Sequence, residues 1–269
     1  MTKSKTIAQA CRAVLLAAEP GHKVRIARSA ARAWRRGELA FRFDTVMPDR
    51  PARPARPELV PANRMPRRGR GSERGRIAML HALAHIEYGA IDLAFDMAGR
   101  FGADFPRAFV DGWLSVGADE AIHFALLDRR LRALGSAYGA LPAHDGLWEA
   151  AAATAHDVLA RLAIVPMVLE ARGLDVTPAT VERFEAAGDV RSAAVLSRIF
   201  RDEIRHVALG THWFKMACES RRIDIVAHWQ QLVRTYFRGR LKPPFNASAR
   251  DEAGLSRDFY EGVAAEGFA

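Results

Sequence analysis

The sequence predicts an all-α fold, on three observations. Apolar residues recur at helical intervals through four long stretches, at about 75–100, 106–134, 146–172 and 189–218. No stretch alternates apolar and polar residues as a half-buried strand does. With 49% hydrophobic residues in a chain of 269, there is enough apolar side chain to bury a substantial core.

Taken in order, residues 5–18 and 23–42 read as two short helices, broken at Glu19-Pro20-Gly21 and packed together and against the main body. Six prolines lie among arginines between Met47 and Pro66, which predicts an extended strap, read as a solvated basic linker. No aromatic side chain is interleaved there on which a base could stack. Four long helices follow. Pro166 inside the third frees a backbone carbonyl and should kink or bulge it. Gly173 reads as its stop, and Thr177-Pro178 as the cap and first residue of a short connecting helix ending near Gly188. Asp189 is placed to cap the fourth. The second and third helices are expected to run parallel, so the segment from about Gly135 to Leu147 should be extended and packed on the bundle, since about 13 residues reach at most about 43 Å. The organisation expected is an N-terminal helical extension (1–45), a basic proline-rich strap (46–76), a four-helix bundle (77–218) and a C-terminal helix and tail packing on it (219–269).

The net charge of +9 is unevenly placed: residues 1–76 hold 19 Lys and Arg against 6 Asp and Glu, and the remainder 21 against 25. The basic character belongs to the N-terminal extension, and the bundle is mildly acidic. No apolar run approaches the ~20 residues of a membrane span. Cys11 and Cys218 have no metal-site spacing and read as free thiols, so a soluble cytoplasmic protein is expected.

Two copies of one pattern carry the chemistry, Asp119-Glu120-Ala121-Ile122-His123 and Asp202-Glu203-Ile204-Arg205-His206. On a helix, residues three apart share a face, so each copy aims a carboxylate and an imidazole at one point. With 9 His in the chain, chance supplies about half of one Glu-x-x-His match, and Glu19-Pro20-Gly21-His22, on a Pro-Gly turn, reads as that match. A preceding Asp lowers the expectation to roughly 0.03, yet two are present inside helical patterns. Glu87 shares an apolar face with Leu80, Ala84, Ile91 and Ala94, and Glu170 one with Leu159, Ala163 and Met167. A carboxylate in such a stripe must be neutral, paired or metal-bound.

The order is thus Glu, Glu-x-x-His, Glu, Glu-x-x-His, the ligand set of di-iron or di-manganese carboxylate bundles. Four carboxylates offset two divalent cations, and two imidazoles add donors suited to iron. Buried Glu–Arg ion pairs are the alternative, disfavoured because these faces carry no Arg or Lys. Asp119 and Asp202 flank the ligand faces and are placed to take the outer ring N–H of His206 and His123, solvated helix charges being the alternative. His81, His85, Tyr88 and Asp92 form a second stripe on the first long helix, rotated away from Glu87. It reads as a polar interface with the N-terminal helices or the strap rather than as a second metal site. His156 lies too far along its helix to join Glu170, and His144, His212 and His228 belong to no inward constellation.

These six positions resemble the ferritin-like di-iron carboxylate superfamily. More narrowly, the chain resembles a bacterial ferritin-like domain family of unassigned function, through Arg53-Pro54 to Pro61, His81-Ala82-Leu83-Ala84-His85-Ile86-Glu87, RLAIVPMVLEARGLD at 161–175, Asp202 to Gly210, and Pro243-Pro244-Phe245-Asn246. It is distantly similar to the tRNA-modifying di-iron hydroxylase. The resemblance implies a ferritin-like four-helix bundle holding two iron ions, or a Mn/Fe pair, at Glu87, Glu120, His123, Glu170, Glu203 and His206. The activity it implies is that of an oxidoreductase, using dioxygen and an unidentified electron donor to hydroxylate or oxidise an organic small molecule or nucleoside. Two other readings stay open: iron binding or ferroxidase-type handling without an organic substrate, and an RNA-modifying hydroxylase whose basic N-terminal region grips tRNA phosphates.

Overall fold

The computed structural model describes residues 5–66 and 72–266. Every regular element among them is helical: α1 (Ile7–Leu15), α2 (Pro20–Arg35), α3 (Glu73–Phe101), α4 (Arg107–Ala133), α5 (Gly146–Ala153), α6 (Val158–Ile164), a π-helical segment (Val165–Glu170), α7 (Ala171–Ala186), α8 (Val190–Ser220), α9 (Ile225–Tyr236), α10 (Ala247–Glu252) and α11 (Arg257–Glu266), with short 3-10 turns at Ala62–Arg64 and Gly102–Asp104. The all-α class holds. The chain forms two compact units, residues 1–148 and 149–269.

In the first unit α3 packs on α4, α1 on α3 and α2 on α4. Thr6 and Gln9 cap α1 reciprocally, each side chain taking the other's backbone N–H. The Glu19-Pro20-Gly21 triplet is not a mere break. It starts α2: the Glu19 carboxylate accepts the N–H groups of Gly21 and His22, and Pro20 takes the first helical position, where no N–H is needed. The same helix ends at Arg35 rather than at 42. Gly37, at φ 72°, lets the N–H of Glu38 reach the carbonyl of Ala33 and its own N–H reach Trp34, both at 2.9 Å, the left-handed stop that only glycine adopts without cost.

The strap differs from the solvated linker expected. Ala52 N–H donates to the Leu15 carbonyl at 2.8 Å, Arg100 donates to the Pro48 carbonyl at 3.0 Å, and Trp148 Nε1 to that of Asp49 at 3.1 Å. Arg53 pairs with Asp92 and, at 2.9 Å, with Asp145. Asp92 is fully buried and also binds the fully buried Lys23. Burial pulls the Lys23 ammonium below its usual range and pushes the Asp92 carboxyl above its own, and the opposite charge of each resists both shifts. The α3 stripe is therefore the polar interface expected: Tyr88 donates to the Ala18 carbonyl at 2.9 Å, and His85 Nδ1 lies 2.9 Å from the Tyr138 hydroxyl. His81 Nε2 accepts the N–H of Gly139 at 2.9 Å. The segment after α4 is irregular and tied down by these bonds and by a parallel bridge between Leu59 and Ala143.

In the second unit the predicted third helix is three pieces. Thr154 turns its hydroxyl back onto the Ala150 carbonyl at 2.9 Å, while Asp157, in extended backbone, caps α6 through the Leu159 N–H at 2.9 Å. Such local bonds compete with helix continuation. Buried Arg161 then satisfies the end of α5 through the Ala151 carbonyl at 2.6 Å. The distortion expected at Pro166 is the π-helical segment itself. Gly210 of α8 lies against it so closely that a Cβ there would sit 2.4 Å from the Cβ of Pro166.

Neither Gly173 nor Thr177-Pro178 interrupts α7, contrary to expectation. Tertiary bonds carry the helix through them. Pro178 cannot donate to the carbonyl of Leu174, and that carbonyl accepts instead from the Asn246 amide at 3.2 Å. Buried Arg250 grips buried Asp175 through two bonds, each 2.8 Å, and lies over the rings of Phe245 and Tyr260. Beyond α8 the described residues form three helices, not one and a tail: α9 on α6, α10 on α7 and α8, and α11 on α9. Asn246→Ala is expected to cost about 1–3 kcal/mol, the scale for stranding a buried carbonyl. In a Pro178→Ala background, where the helix supplies its own donor, that cost should shrink. Urea denaturation of the four forms checks it, and equal costs in both backgrounds would refute the substitution of one donor for the other.

Candidate metal centre

Within the first unit α3 contributes Glu87 and α4 contributes Glu120 and His123, all three buried. The arrangement follows from helical phase. Glu87 lies one turn from Ala84 and Ile91, and His123 one turn from Glu120 and Leu127, each on a buried face of its helix. His123 Nδ1 lies 3.1 Å from Glu87 Oε2 and 3.3 Å from Glu120 Oε2. One ligand atom from each of the three can be chosen so that all lie within 4.8 Å of one another.

The second unit carries the matching set. On α8, Glu203 and His206 are buried, with His206 Nδ1 3.5 Å from Glu203 Oε1, on the face that holds Ile199, Val207, Gly210 and Phe214. Glu170 ends the π-helical segment and is half-buried. The close approach of Gly210 to Pro166 fixes that segment against α8, one turn beyond His206, a relation with no signal in the sequence beyond a glycine inside a helix. Asp119 is half-buried. Asp202 holds Arg205 and lies 3.8 Å from Arg198, both on its own helix. The remaining histidines stand apart from these sets: His156 meets the Tyr236 hydroxyl at 3.0 Å, and His81 and His85 serve the interface described above.

Two carboxylates and an imidazole this close are coupled. Burial, and next the charge of Glu120, push the Glu87 carboxyl well above the usual carboxylate range. Burial alone would pull the His123 imidazole down, but hydrogen bonds to Glu120 and Glu87 outweigh it and raise it to about 11. Both shifts say one thing: without a cation the cluster retains protons. A divalent ion fits this donor set, because it supplies the positive charge that those protons otherwise provide.

The sign of the pH dependence follows. A group whose folded-state pKa is raised contributes stability that is present below its unfolded value, 4.5 for Glu87 and 6.5 for His123, and lost as pH rises. The metal-free protein should therefore weaken through this cluster as pH rises above 4.5 for Glu87 and from 6.5 to about 11 for His123, whereas a bound ion keeps the deprotonated form neutralised. The thermal stabilisation conferred by iron or manganese is expected to grow over that range. A gain that is flat or falls with pH, read by scanning calorimetry, would contradict the assignment.

No solved structure matches the chain. It is 42% identical over 210 residues to an uncharacterized protein of Haemophilus influenzae (strain ATCC 51907 / DSM 11121 / KW20 / Rd), covering 76% of this chain and 73% of that one. The match to the family described as "Protein of unknown function (DUF455)" runs over residues 16–261, and the chain belongs to that family.

Proposed function

We propose that the two half-sites combine, in a ferritin-like bundle, into one di-iron or Mn/Fe centre, and that the protein is an oxidoreductase acting on an organic substrate. The observation that carries this reading is the Glu87–Glu120–His123 cluster, two carboxylates and an imidazole whose ligand atoms lie buried and close together. Glu87, Glu120 and His123 would hold one side of the pair, and Glu170, Glu203 and His206 the other. Four carboxylates offset the charge of two divalent ions, and the imidazoles supply borderline-soft donors. The chemistry such a pair supplies when reduced is oxidation by dioxygen, with electrons from a donor protein or small molecule. The chain's own part is to hold the ligands in a dry apolar wall and to fix the imidazole rings. Asp119 and Asp202 are proposed for the second task, each taking the outer ring N–H of a histidine; a carboxylate that also holds an arginine, as Asp202 does, keeps acceptor positions for it.

Asp119→Asn and Asp202→Asn are expected to leave helix content unchanged and weaken metal binding roughly 10–100-fold, the usual scale for such partners. Titration of the metal-free protein with Fe(II) or Mn(II) measures it. Affinity equal to wild type in both variants would remove the aspartates from the site. Iron-loaded protein that consumes oxygen only in proportion to its iron, and accumulates ferric mineral, would replace the oxidoreductase reading with iron handling.

A further inference from the structure

The first unit also carries a concavity of about 540 Å³, separate from the buried ligands. It opens where the start of α2, the strap and the segment after α4 meet, and it is lined by Glu19, Arg56, Asp128, Arg129 and Arg132, with Phe124 and Tyr138 on its inner side. Both carboxylates are already committed. Glu19 caps α2, and Asp128 accepts Arg132 Nε at 2.9 Å and the Tyr138 N–H at 3.3 Å. Arg56 and Arg129 are exposed and hold no ion pair among the described residues. Arg25 stands beside Gly21 of the lining, its Nη1 3.5 Å from where a Cβ on that glycine would be.

Each wall is anchored by a bond already described. Lys23, in the first turn of α2, and Arg53, three residues before Arg56, both bind Asp92. Tyr138 is held by His85 and stands edge-on to Phe124 at 5.0 Å. Two guanidinium groups with no ion pair, carried on anchored backbone, are available to an anion, and their fork geometry matches phosphate oxygens. Aromatic rings beside them suit the flat face of a base. The volume falls within the ~300–1,000 Å³ of small-molecule sites.

We propose that this cavity binds a nucleoside phosphate, with the phosphate on Arg56 and Arg129 and the base on the Tyr138 side. The site does not rest on the metal reading. Two sources supply this chemistry, a free nucleotide or a nucleotide within a strand. For the second, α2 presents exposed Arg25, Arg28, Arg32 and Arg35 at three- and four-residue intervals, a single cationic stripe leading from the mouth.

The test is calorimetric titration of the full-length, metal-free protein with AMP, adenosine, inorganic phosphate and a short single-stranded oligoribonucleotide, beside an Arg56→Ala/Arg129→Ala variant checked by circular dichroism. AMP should bind more tightly than adenosine or phosphate, and the variant should lose at least tenfold in affinity. Because both side chains are exposed, the fold should survive; Arg56→Gln and Arg129→Gln singly give the same readout if it does not. Arg35→Ala, at the far end of α2, should leave AMP binding unchanged. Binding of the oligonucleotide but not of AMP, weakened by both Arg56→Ala/Arg129→Ala and Arg35→Ala, would support the site and assign its ligand to a strand. Phosphate binding as tightly as AMP, affinity unchanged in the Arg56 and Arg129 variants, or no binding of AMP or oligonucleotide would overturn the proposal.

Discussion

Glu120→Ala should abolish metal binding at the cluster while leaving the metal-free protein folded and no less stable. Glu120 is almost fully buried beside a second carboxylate, and its charge helps to push Glu87 above the usual carboxylate range. Removing it relieves that repulsion in the metal-free state but deletes a ligand from the loaded one. The loss of affinity should exceed the roughly 10–100-fold typical of an outer partner. His123→Ala should lose metal as severely, through the imidazole that lies within 3.3 Å of both carboxylates. The two measurements together, metal affinity and metal-free melting temperature, separate this outcome from simple misfolding. A variant that melts well below wild type before any metal is added would mean that Glu120 is a structural residue.

Asp92→Ala should be the most destabilising single change in the first unit, by about 3–5 kcal/mol, because it strands charge that no water reaches. Lys23 is fully buried against Asp92, and Arg53 is held by Asp92 and Asp145. The three residues come from α3, α2 and the strap, so their loss should free the strap and α2 together. Equilibrium unfolding in urea reads the loss as a lower midpoint. Lys23→Met, which removes the buried cation instead, should cost less than Asp92→Ala, since Arg53 still balances the carboxylate. Wild-type stability in Asp92→Ala would show that the network contributes little.

The long helices were legible because each carries its own period. The limits of α3, α4 and α8 fall close to the apolar repeats that predict them. Where the sequence misled, a bond from elsewhere in the chain decided the outcome. Pro178 and Gly173 stay helical because Asn246 and Arg250, some 70 residues on, bind Leu174 and Asp175, which no local signal announces. The strap looked like a linker because its prolines and arginines are typical of one. Its anchoring depends on a carboxylate in α3 that composition does not connect with it. Gly37, by contrast, was a local signal that the expected helix to residue 42 ran past, being a glycine just beyond a basic last turn.

The candidate ligands were legible for a different reason. A carboxylate on an apolar helical face leaves few options, and two Asp-Glu-x-x-His copies narrow them further. The structure brings Glu87, Glu120 and His123 together in one unit and sets Glu203 beside His206 in the other. The cavity at Arg56 and Arg129 gave no such signal, since its walls come from three separate stretches, each unremarkable alone.

A centre of two metal ions can be counted: the metal-free protein is loaded with Fe(II) without oxygen, excess iron is removed, and iron per chain is measured. About two irons per chain are expected in wild type, with a marked loss in Glu120→Ala and Glu203→Ala. Wild-type protein that retains no transition metal, or retains it equally in both variants, would contradict it.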